Sequence, residues 1–423
     1  MFNWKQLLKG TAVIVGTAAV SALCVFAAMG VFTRHTLTLT VNGTVSEYKY
    51  LPGETPDVSG LETAGPGERF ICWLDGGGNE SDPEVPMRAD ASYTALTAPA
   101  LAGEDMEPWL ECNANGFALP GALVTGDEAA AGAEAIFASN FDASPLSSLE
   151  TVTLDDFAAA LDGAFAPGEL EALSGDIPLT RVEAAQLVCS LAGIEDPGTP
   201  SSPAAPDLDP ASEGAAELTR CLAPETAVEY ADGFVNIDGW LYLVSGGLFV
   251  TDDNVDGFEF GPDGRFTSGS EELDELVAEA LEPICAECGT RDEMLRAAYL
   301  YVRDNFEYLR RNYYAVGADG WQTDEAITML TTGRGNCYCY AAAFWALARG
   351  LGYDATAVAG TVGYDRDPHG WVIMYDENGT RITYDVELEM AYRYNRHNYT
   401  TDMYAMNPIK AAQWSYIYGE QFR

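Results

Sequence analysis

In the last third of the chain, the spacing of apolar residues changes from a helical period to the alternation that is typical of strands. Apolar positions at i, i+3, i+4 and i+7 predict four helices, over residues 271–288, 290–309, 323–332 and 337–351. Thr290 and Thr323 stand where N-caps are expected. Three alternating segments follow and predict strands over residues 355–362, 369–376 and 380–387. A group of helices followed by a group of strands indicates the α+β class for residues 270–423.

The pattern divides the preceding chain into a small all-β module, a helical module, a linker and a β-hairpin repeat, over residues 36–100, 102–197, 198–229 and 230–268. Period-two alternation around Asn42-Gly43 predicts a hairpin in the first module. In the second, Thr180 and Glu183 have the spacing of a capping box, which predicts a helix start. The linker is predicted from its Pro-rich and Ser-rich first half.

The N-terminal region 1–34 has an apolar pattern of its own. Residues 11–32 form a run of 22 residues without a charge, which is long enough to span a bilayer as a helix. Lys5 and Lys9 precede this run, which favours a cytoplasmic N-terminus. We therefore expect a single-pass anchor in the cell membrane, with the bulk of the chain extracellular. A cleaved signal peptide is the alternative.

The charge of the chain is very uneven. The formal net charge is −43, and residues 35–290 carry 6 basic against 48 acidic side chains. Such a surface repels other polyanions, so we expect no nucleic-acid partner. A strongly solvated exterior explains this charge, and a surface for divalent cations or a cationic polymer is the alternative.

Nine cysteines are present, and two of them, Cys285 and Cys288, form a CxxC pair. A zinc site requires a second such pair or two histidines at suitable spacing, and the sequence offers neither. We therefore expect structural or disulfide-bonded cysteines here, with a redox or metal role as the alternative.

A candidate catalytic set comes from the ends of predicted elements in the C-terminal region. Cys337 opens a helix, His369 opens a strand, and Asp385 lies near the end of the next strand. A thiol attacks as its thiolate, which a helix N-terminus and a neighbouring imidazole stabilise. A carboxylate would orient that imidazole. Cys339 is the rival nucleophile, but two residues along a helix turn a side chain by about 200°, so only one of the two cysteines faces His369.

Two further features complete the predicted site. The backbone N–H at the helix start is expected to stabilise an oxyanion. Trp321 is a candidate cleft residue or indole donor to the same oxyanion, and simple packing is its alternative role. This chemistry needs no metal, and we expect no cofactor.

The motifs GNCYCYA, ARGLGYDATAVAG, HGWVIM and TYDVE occur in the order found in the transglutaminase-like superfamily. Residues 270–423 therefore resemble that family in its bacterial secreted form. The resemblance implies a papain-like arrangement of helices packed on an antiparallel sheet. It assigns Cys337 as nucleophile, His369 as base and Asp385 as third member. Gly370 stands where the family usually has alanine.

The resemblance implies an extracellular thiol enzyme that transfers acyl groups from peptide or carboxamide bonds, as a protease, an amidase or a transglutaminase. A peptide or protein substrate is implied, and a cell-wall component is a further candidate partner. Water and an amine both remain open as the acceptor. The alternative is a catalytically inactive adhesion or wall-binding protein with the same fold.

Two shorter resemblances lie upstream. The helix that follows Thr180 resembles the end of an S-layer homology repeat. Residues 230–268 resemble the aromatic repeats of cell-wall-binding proteins, in which Trp240, Tyr242 and Phe258 would surround a quaternary ammonium. A purely structural hairpin is the alternative for this segment.

Overall fold

The computed structural model describes residues 33–166, 168–171 and 173–419. The predicted membrane anchor falls in residues 1–32 and lies outside this range. Among the described residues, no helix combines the length and the apolar character that crossing a bilayer requires. The chain divides into two compact units. Of the described residues, one unit contains those up to Glu111 together with Leu119–Pro200 and Pro210–Glu225. The other contains Cys112–Ala118, Ser201–Asp209 and residues 226–419.

The first unit begins with a four-stranded sheet of order β2-β1-β4-β3, whose strands are His35–Val41 (β1), Thr44–Tyr50 (β2), Glu68–Asp75 (β3) and Ala91–Pro99 (β4). The predicted hairpin joins β1 to β2, since Asn42 and Gly43 have φ values of 47° and 75°. One face of this sheet is buried and contributes four residues to a single apolar core, Leu37, Leu39, Trp73 and Tyr93.

The rest of the first unit is helical, with Gly126–Ala135 (α1), Leu154–Ala160 (α2), Arg181–Ala192 (α3) and Ala215–Cys221 (α4). The capping box predicted at Thr180 and Glu183 is present, and α1 and α2 begin with the same device. Helix α4 lies inside the segment predicted as a linker. It forms because Leu218 and Cys221 are buried in the core, so the second half of that segment is not a simple connection.

The second unit begins with short hairpins, over Gly233–Ile237 (β5), Trp240–Ser245 (β6), Leu248–Phe249 (β7), Asp253–Val255 (β8), Phe258–Phe260 (β9) and Phe266–Thr267 (β10). The aromatic residues predicted to form a cage do not share one surface. Tyr242 stacks on Phe249 at 4.4 Å, whereas Phe258 packs in a separate apolar cluster. The Arg265 guanidinium covers the Trp240 ring at 4.4 Å. These contacts favour the structural-hairpin alternative.

Four helices follow, Glu271–Glu287 (α5), Arg291–Asn305 (α6), Gln322–Thr332 (α7) and Cys337–Gly350 (α8). Thr290 caps α6 as predicted. The prediction for Thr323 is wrong, because α7 begins one residue earlier and Trp321 holds the N-cap position without a side-chain hydrogen bond. Helix α8 is buried along nearly its whole length and forms the centre of the core.

A three-stranded antiparallel sheet packs on α8, with Thr356–Val362 (β13) and Arg381–Tyr384 (β15) on either side of Asp367–Tyr375 (β14). A two-residue parallel ladder between Glu307–Tyr308 (β11) and Arg334–Gly335 (β12) precedes α8. Two short helices, Val386–Met390 (α9) and Pro408–Ala412 (α10), follow the sheet. This order confirms the predicted α+β class and brings the start of α8 against the centre of β14.

Candidate active site

Cys337 is the first residue of α8, and its side chain is only 3% exposed. The Asn336 side chain is the N-cap and accepts hydrogen bonds from the N–H groups of Tyr338 and Cys339, at 3.2 and 3.4 Å. Within the described chain, the backbone N–H of Cys337 has no such partner. The sulfur therefore lies at the positive end of a helix dipole, beside an amide that remains available to a ligand.

His369 lies on the central strand β14, opposite Gly360 of β13. Its Nε2 lies 2.8 Å from Asp385 Oδ2 and 3.0 Å from Oδ1. The ring is buried and lies nearly parallel to that of Trp371, with centroids 6.2 Å apart. Because Asp385 occupies Nε2, Nδ1 is the ring nitrogen that remains for a second partner.

The pKa of His369 reflects two opposing effects. Burial lowers it, but the charge and hydrogen bond of Asp385 together with the interaction with the Cys337 thiol outweigh burial and raise the pKa well above its usual value. The imidazolium form is therefore favoured next to the sulfur, which is what an ion pair between a thiolate and an imidazolium requires.

Asp385 is fully buried and is held by several donors in addition to His369. The backbone N–H of Leu388, in the first turn of α9, donates to Oδ1 at 3.0 Å. The Tyr416 hydroxyl donates to Oδ2 at 2.6 Å. These bonds stabilise the carboxylate and fix its orientation, so the imidazole is held in one position.

Cys339, the rival nucleophile, points in a different direction. Its thiol is completely buried and donates to Glu325 Oε2 at 2.7 Å. Burial, followed by the hydrogen bond to Glu325, raises the pKa of Cys339 to about 12. A thiol with this pKa stays protonated at neutral pH, which favours Cys337 over Cys339 as the candidate nucleophile.

Trp321 does not point its indole N–H into the cleft. Its Nε1 donates to the carbonyl oxygen of Ala318 at 3.0 Å, and the side chain is buried. The ring stacks on Tyr314 and meets Tyr338 edge to face, with both centroid distances at 5.4 Å. The predicted indole donor to an oxyanion is thus wrong, and Trp321 instead supports the residue that follows Cys337.

Two glycines allow the elements of the site to approach one another. A Cβ on Gly370 would lie 2.8 Å from Tyr338 Cδ1 and 3.0 Å from Tyr338 Cα. A Cβ on Gly360 would lie 2.3 Å from both the Trp371 ring and the carbonyl oxygen of Ile417. Glycine in place of the family's usual alanine at position 370 thus allows β14 to lie directly against the start of α8.

Three residues of the site escaped the sequence analysis: Asn336, Tyr416 and Glu387. Asn336 stands immediately before the cysteine, so N-cap preference was a usable signal. Tyr416 follows Asp385 by 31 residues and reaches it only through tertiary structure. Glu387 lies two residues after Asp385, and its Oε2 is 3.8 Å from His369 Nδ1. Nothing in the sequence distinguishes it from the other glutamates of the chain.

The CxxC pair shows neither a metal site nor an activated thiol. Within the described ranges, no group of three metal-ligating side chains comes together. Burial raises the pKa of Cys285 to about 11, and burial followed by nearby acidic charge raises that of Cys288. Both are free thiols in the structure, and their raised pKa values favour the structural interpretation over a redox dithiol.

The fold and the site together define an α+β domain that holds a thiol, an imidazole and a carboxylate in series. Residues 279–402 match the family described as the Transglutaminase-like superfamily, so the C-terminal region carries a transglutaminase-like domain. The matched stretch contains Cys337, His369 and Asp385. No curated protein matches the chain.

Proposed function

We propose that this protein is an acyl-transfer enzyme that acts on peptide or carboxamide bonds, with Cys337 as nucleophile, His369 as base and Asp385 as the orienting group. One observation carries the proposal. The His369 ring is held by Asp385 through Nε2 and interacts with the Cys337 thiol at the start of a helix. This is the arrangement from which a thiolate attacks a carbonyl carbon.

The first half of the reaction forms a thioester. The Cys337 thiolate attacks the carbonyl carbon to form the C–S bond, and the Cys337 N–H faces the oxyanion that develops. Collapse of this intermediate breaks the C–N bond, and the leaving nitrogen takes the proton from the His369 imidazolium. Asp385 holds the ring in position during both transfers.

The second half regenerates the thiol. An acceptor, which is water or an amine, loses a proton to His369 as it attacks the thioester carbon. The C–S bond breaks, and Cys337 leaves as the thiolate beside the restored imidazolium. No step consumes an oxidant, a reductant or a metal ion.

The same proposal places the domain outside the cell. The uncharged run at residues 11–32, with Lys5 and Lys9 before it, supports a membrane anchor with the domain on the far side. The large excess of acidic side chains in residues 35–290 suits an exterior surface. A peptide or protein would be the substrate, and a cell-wall component is a candidate.

Alkylation by iodoacetamide tests the nucleophile. We expect fast labelling of Cys337 at neutral pH in the full chain, located by peptide mass spectrometry. Labelling at this position disappears in Cys337→Ala and slows by about tenfold or more in His369→Ala, because the ion pair is lost. Cys339→Ala is the matched control and retains the labelling of Cys337. The Cys339 thiol donates to Glu325, so its removal leaves the pair of Cys337 and His369 in place.

Equal labelling of wild type and His369→Ala would contradict the activated thiol. Turnover is then measured with p-nitrophenyl acetate, which acylates reactive thiols and releases a coloured phenol. A burst that depends on Cys337 supports the enzyme. A labelled thiol without a burst, and without release of ammonia or amine from a peptide library, supports the inactive adhesion protein instead.

A further inference from the structure

One exposed segment beside the candidate site differs in character from the rest of the chain. Residues 308–316, which we call the flanking segment, read YLRRNYYAV and hold two arginines and no acidic residue, whereas the whole chain carries 22 basic and 65 acidic residues. The segment exposes four large apolar side chains, Tyr308, Leu309, Tyr313 and Val316. Large apolar side chains are ordinarily exposed singly, so this cluster indicates a surface that binds something.

The flanking segment is attached on both sides of the reacting pair. The side chain of Asn336, one residue before the nucleophile, donates to the carbonyl oxygen of Asn312 at 2.8 Å. Immediately beyond the segment, the N–H of Gly317 donates at 2.8 Å to the carbonyl oxygen of Ala359, which precedes the residue paired with His369. The segment therefore borders the site from the start of α8 to β13.

Within the segment, the Tyr308 ring lies near both the candidate nucleophile and an arginine. In the ladder of β11 and β12, Tyr308 is paired with Gly335, so its cross-strand partner presents no side chain. The Tyr308 side chain is 44% exposed. Burial, and then the charge of Cys337, raises the pKa of Tyr308 to about 12, whereas the charge of Arg310 lowers it. An accessible ring is thus a neighbour of the sulfur and of a guanidinium.

The two arginines of the segment differ in their partners. Arg311 lies 3.6 Å from the buried carboxylate of Glu325. Arg310 is exposed, and among the residues that the structure describes it has neither an ion pair nor a side-chain hydrogen bond. Its guanidinium lies 5.8 Å from the Tyr313 ring. An arginine without a carboxylate of its own, beside exposed rings, suits a ligand that brings both a carboxylate and an apolar group.

We infer that the flanking segment binds the acyl donor and selects an acidic peptide segment, with an apolar side chain next to the reacting carbonyl and a carboxylate beyond it. Tyr308 contacts the apolar side chain, and Arg310 pairs with the carboxylate. The inference rests on the proposed function and adds a donor specificity to it. The positive charge of the segment, in a chain that is otherwise strongly acidic, favours such a donor.

Three p-nitrophenyl esters test the inference in the full chain, those of N-acetylglycine, N-acetylphenylalanine and N-succinylphenylalanine. The second adds an aromatic side chain to the first, and the third adds a carboxylate to the second. The release of p-nitrophenol gives kcat/KM, with the release by Cys337→Ala subtracted as background. This constant reports the acylation of Cys337 and is independent of the acceptor. In wild type, we expect it to rise in the order given.

Two ratios of these constants separate the two contacts. We expect Arg310→Gln to lower the preference for succinylphenylalanine over acetylphenylalanine by about threefold, as for one exposed ion pair. Tyr308→Ser should lower the preference for acetylphenylalanine over acetylglycine by about tenfold, and Tyr308→Phe should retain it, because the ring makes the contact. Arg396→Gln is the matched control. It removes an exposed arginine that covers the Tyr392 ring in a separate apolar cluster, and it leaves both ratios unchanged.

The outcomes distinguish the inference from the proposed function. If the three esters react equally in wild type while release depends on Cys337, the donor specificity is overturned and the acyl-transfer activity stands. A ratio that stays unchanged in Arg310→Gln or in Tyr308→Ser overturns the role assigned to that residue. If no ester shows release that depends on Cys337, the proposed function and the inference are both overturned.

Discussion

The two carboxylates that flank His369 show how surroundings decide the properties of a side chain. Asp385 is fully buried but receives a backbone N–H, a phenol O–H and an imidazole N–H. Glu387 is nearly as deeply buried and receives none of these, so burial raises its pKa to about 7. The Asp385 carboxylate is thereby held in one orientation, whereas the charged partner of Glu387 is the His369 ring, 3.8 Å away.

This difference predicts a pH dependence of stability. A carboxyl whose pKa is higher in the folded than in the unfolded state binds extra protons when folded, so its favourable contribution is lost as pH rises from about 4.5 to about 7. Glu387→Gln removes that loss. We expect the variant to gain roughly 1 to 3 kcal/mol over wild type on going from about pH 5 to about pH 8. Urea unfolding at both pH values measures this, and Glu377→Gln should show no such gain.

At the scale of elements, the contact between β14 and the start of α8 determines the geometry of the site. Gly370 lies against the backbone and ring of Tyr338, one residue beyond the nucleophile. Tyr338 in turn is held by the rings of Trp321 and Tyr314. The distance between strand and helix is therefore fixed by packing on both sides of Tyr338.

An added methyl group should disturb this contact. We expect Gly370→Ala to destabilise the protein by about 1 to 3 kcal/mol, because Tyr338 must move away from a Cβ at 2.8 Å. Labelling of Cys337 should slow as well, since the helix start shifts relative to His369. Gly289→Ala is the control, where a Cβ meets only a Glu293 side-chain atom at 3.6 Å. Equal melting temperatures for the two variants would contradict this prediction and show that β14 accommodates a methyl group at position 370.

At the scale of the whole molecule, the cysteines make the stability of the fold depend on the redox conditions around the protein. The eight described cysteines are free thiols. Two of them, Cys189 on α3 and Cys221 on α4, are buried with their sulfurs 3.7 Å apart. A small change of rotamer would allow them to bond, and the extracellular location that we propose would favour that bond.

We therefore predict a Cys189–Cys221 disulfide in protein isolated without reductant. Because it closes a loop between residues 32 positions apart, it should stabilise the first unit by about 3 kcal/mol. Peptide mapping under non-reducing conditions identifies the link, and thermal unfolding with and without reductant measures its effect. Cys72→Ser serves as control and keeps this response to reductant. If mild oxidation yields no linked peptide, the two thiols pack without bonding.

The sequence predicted the features that depend on residues close together in the chain, and it missed those that depend on residues far apart. Periodicity and local caps predicted the helices α5, α6 and α8, the sheet β13–β15 and the turn at Asn42-Gly43, because these depend on neighbouring residues. The start of α7 was misplaced because packing of the Trp321 ring, rather than the Thr323 hydroxyl, determines it. Tyr416 could not be predicted, since its contact with Asp385 requires the folded sheet.

The candidate site also has a consequence for following the protein's folding. Cys337 begins a helix that is enclosed by other helices and by a sheet, so its sulfur is shielded from solvent only while that interior is intact. If the sheet separates from α8, solvent reaches the sulfur, and His369, which lies on β14, moves away from it. The access of an alkylating reagent to this sulfur therefore reports whether the layers around it are intact.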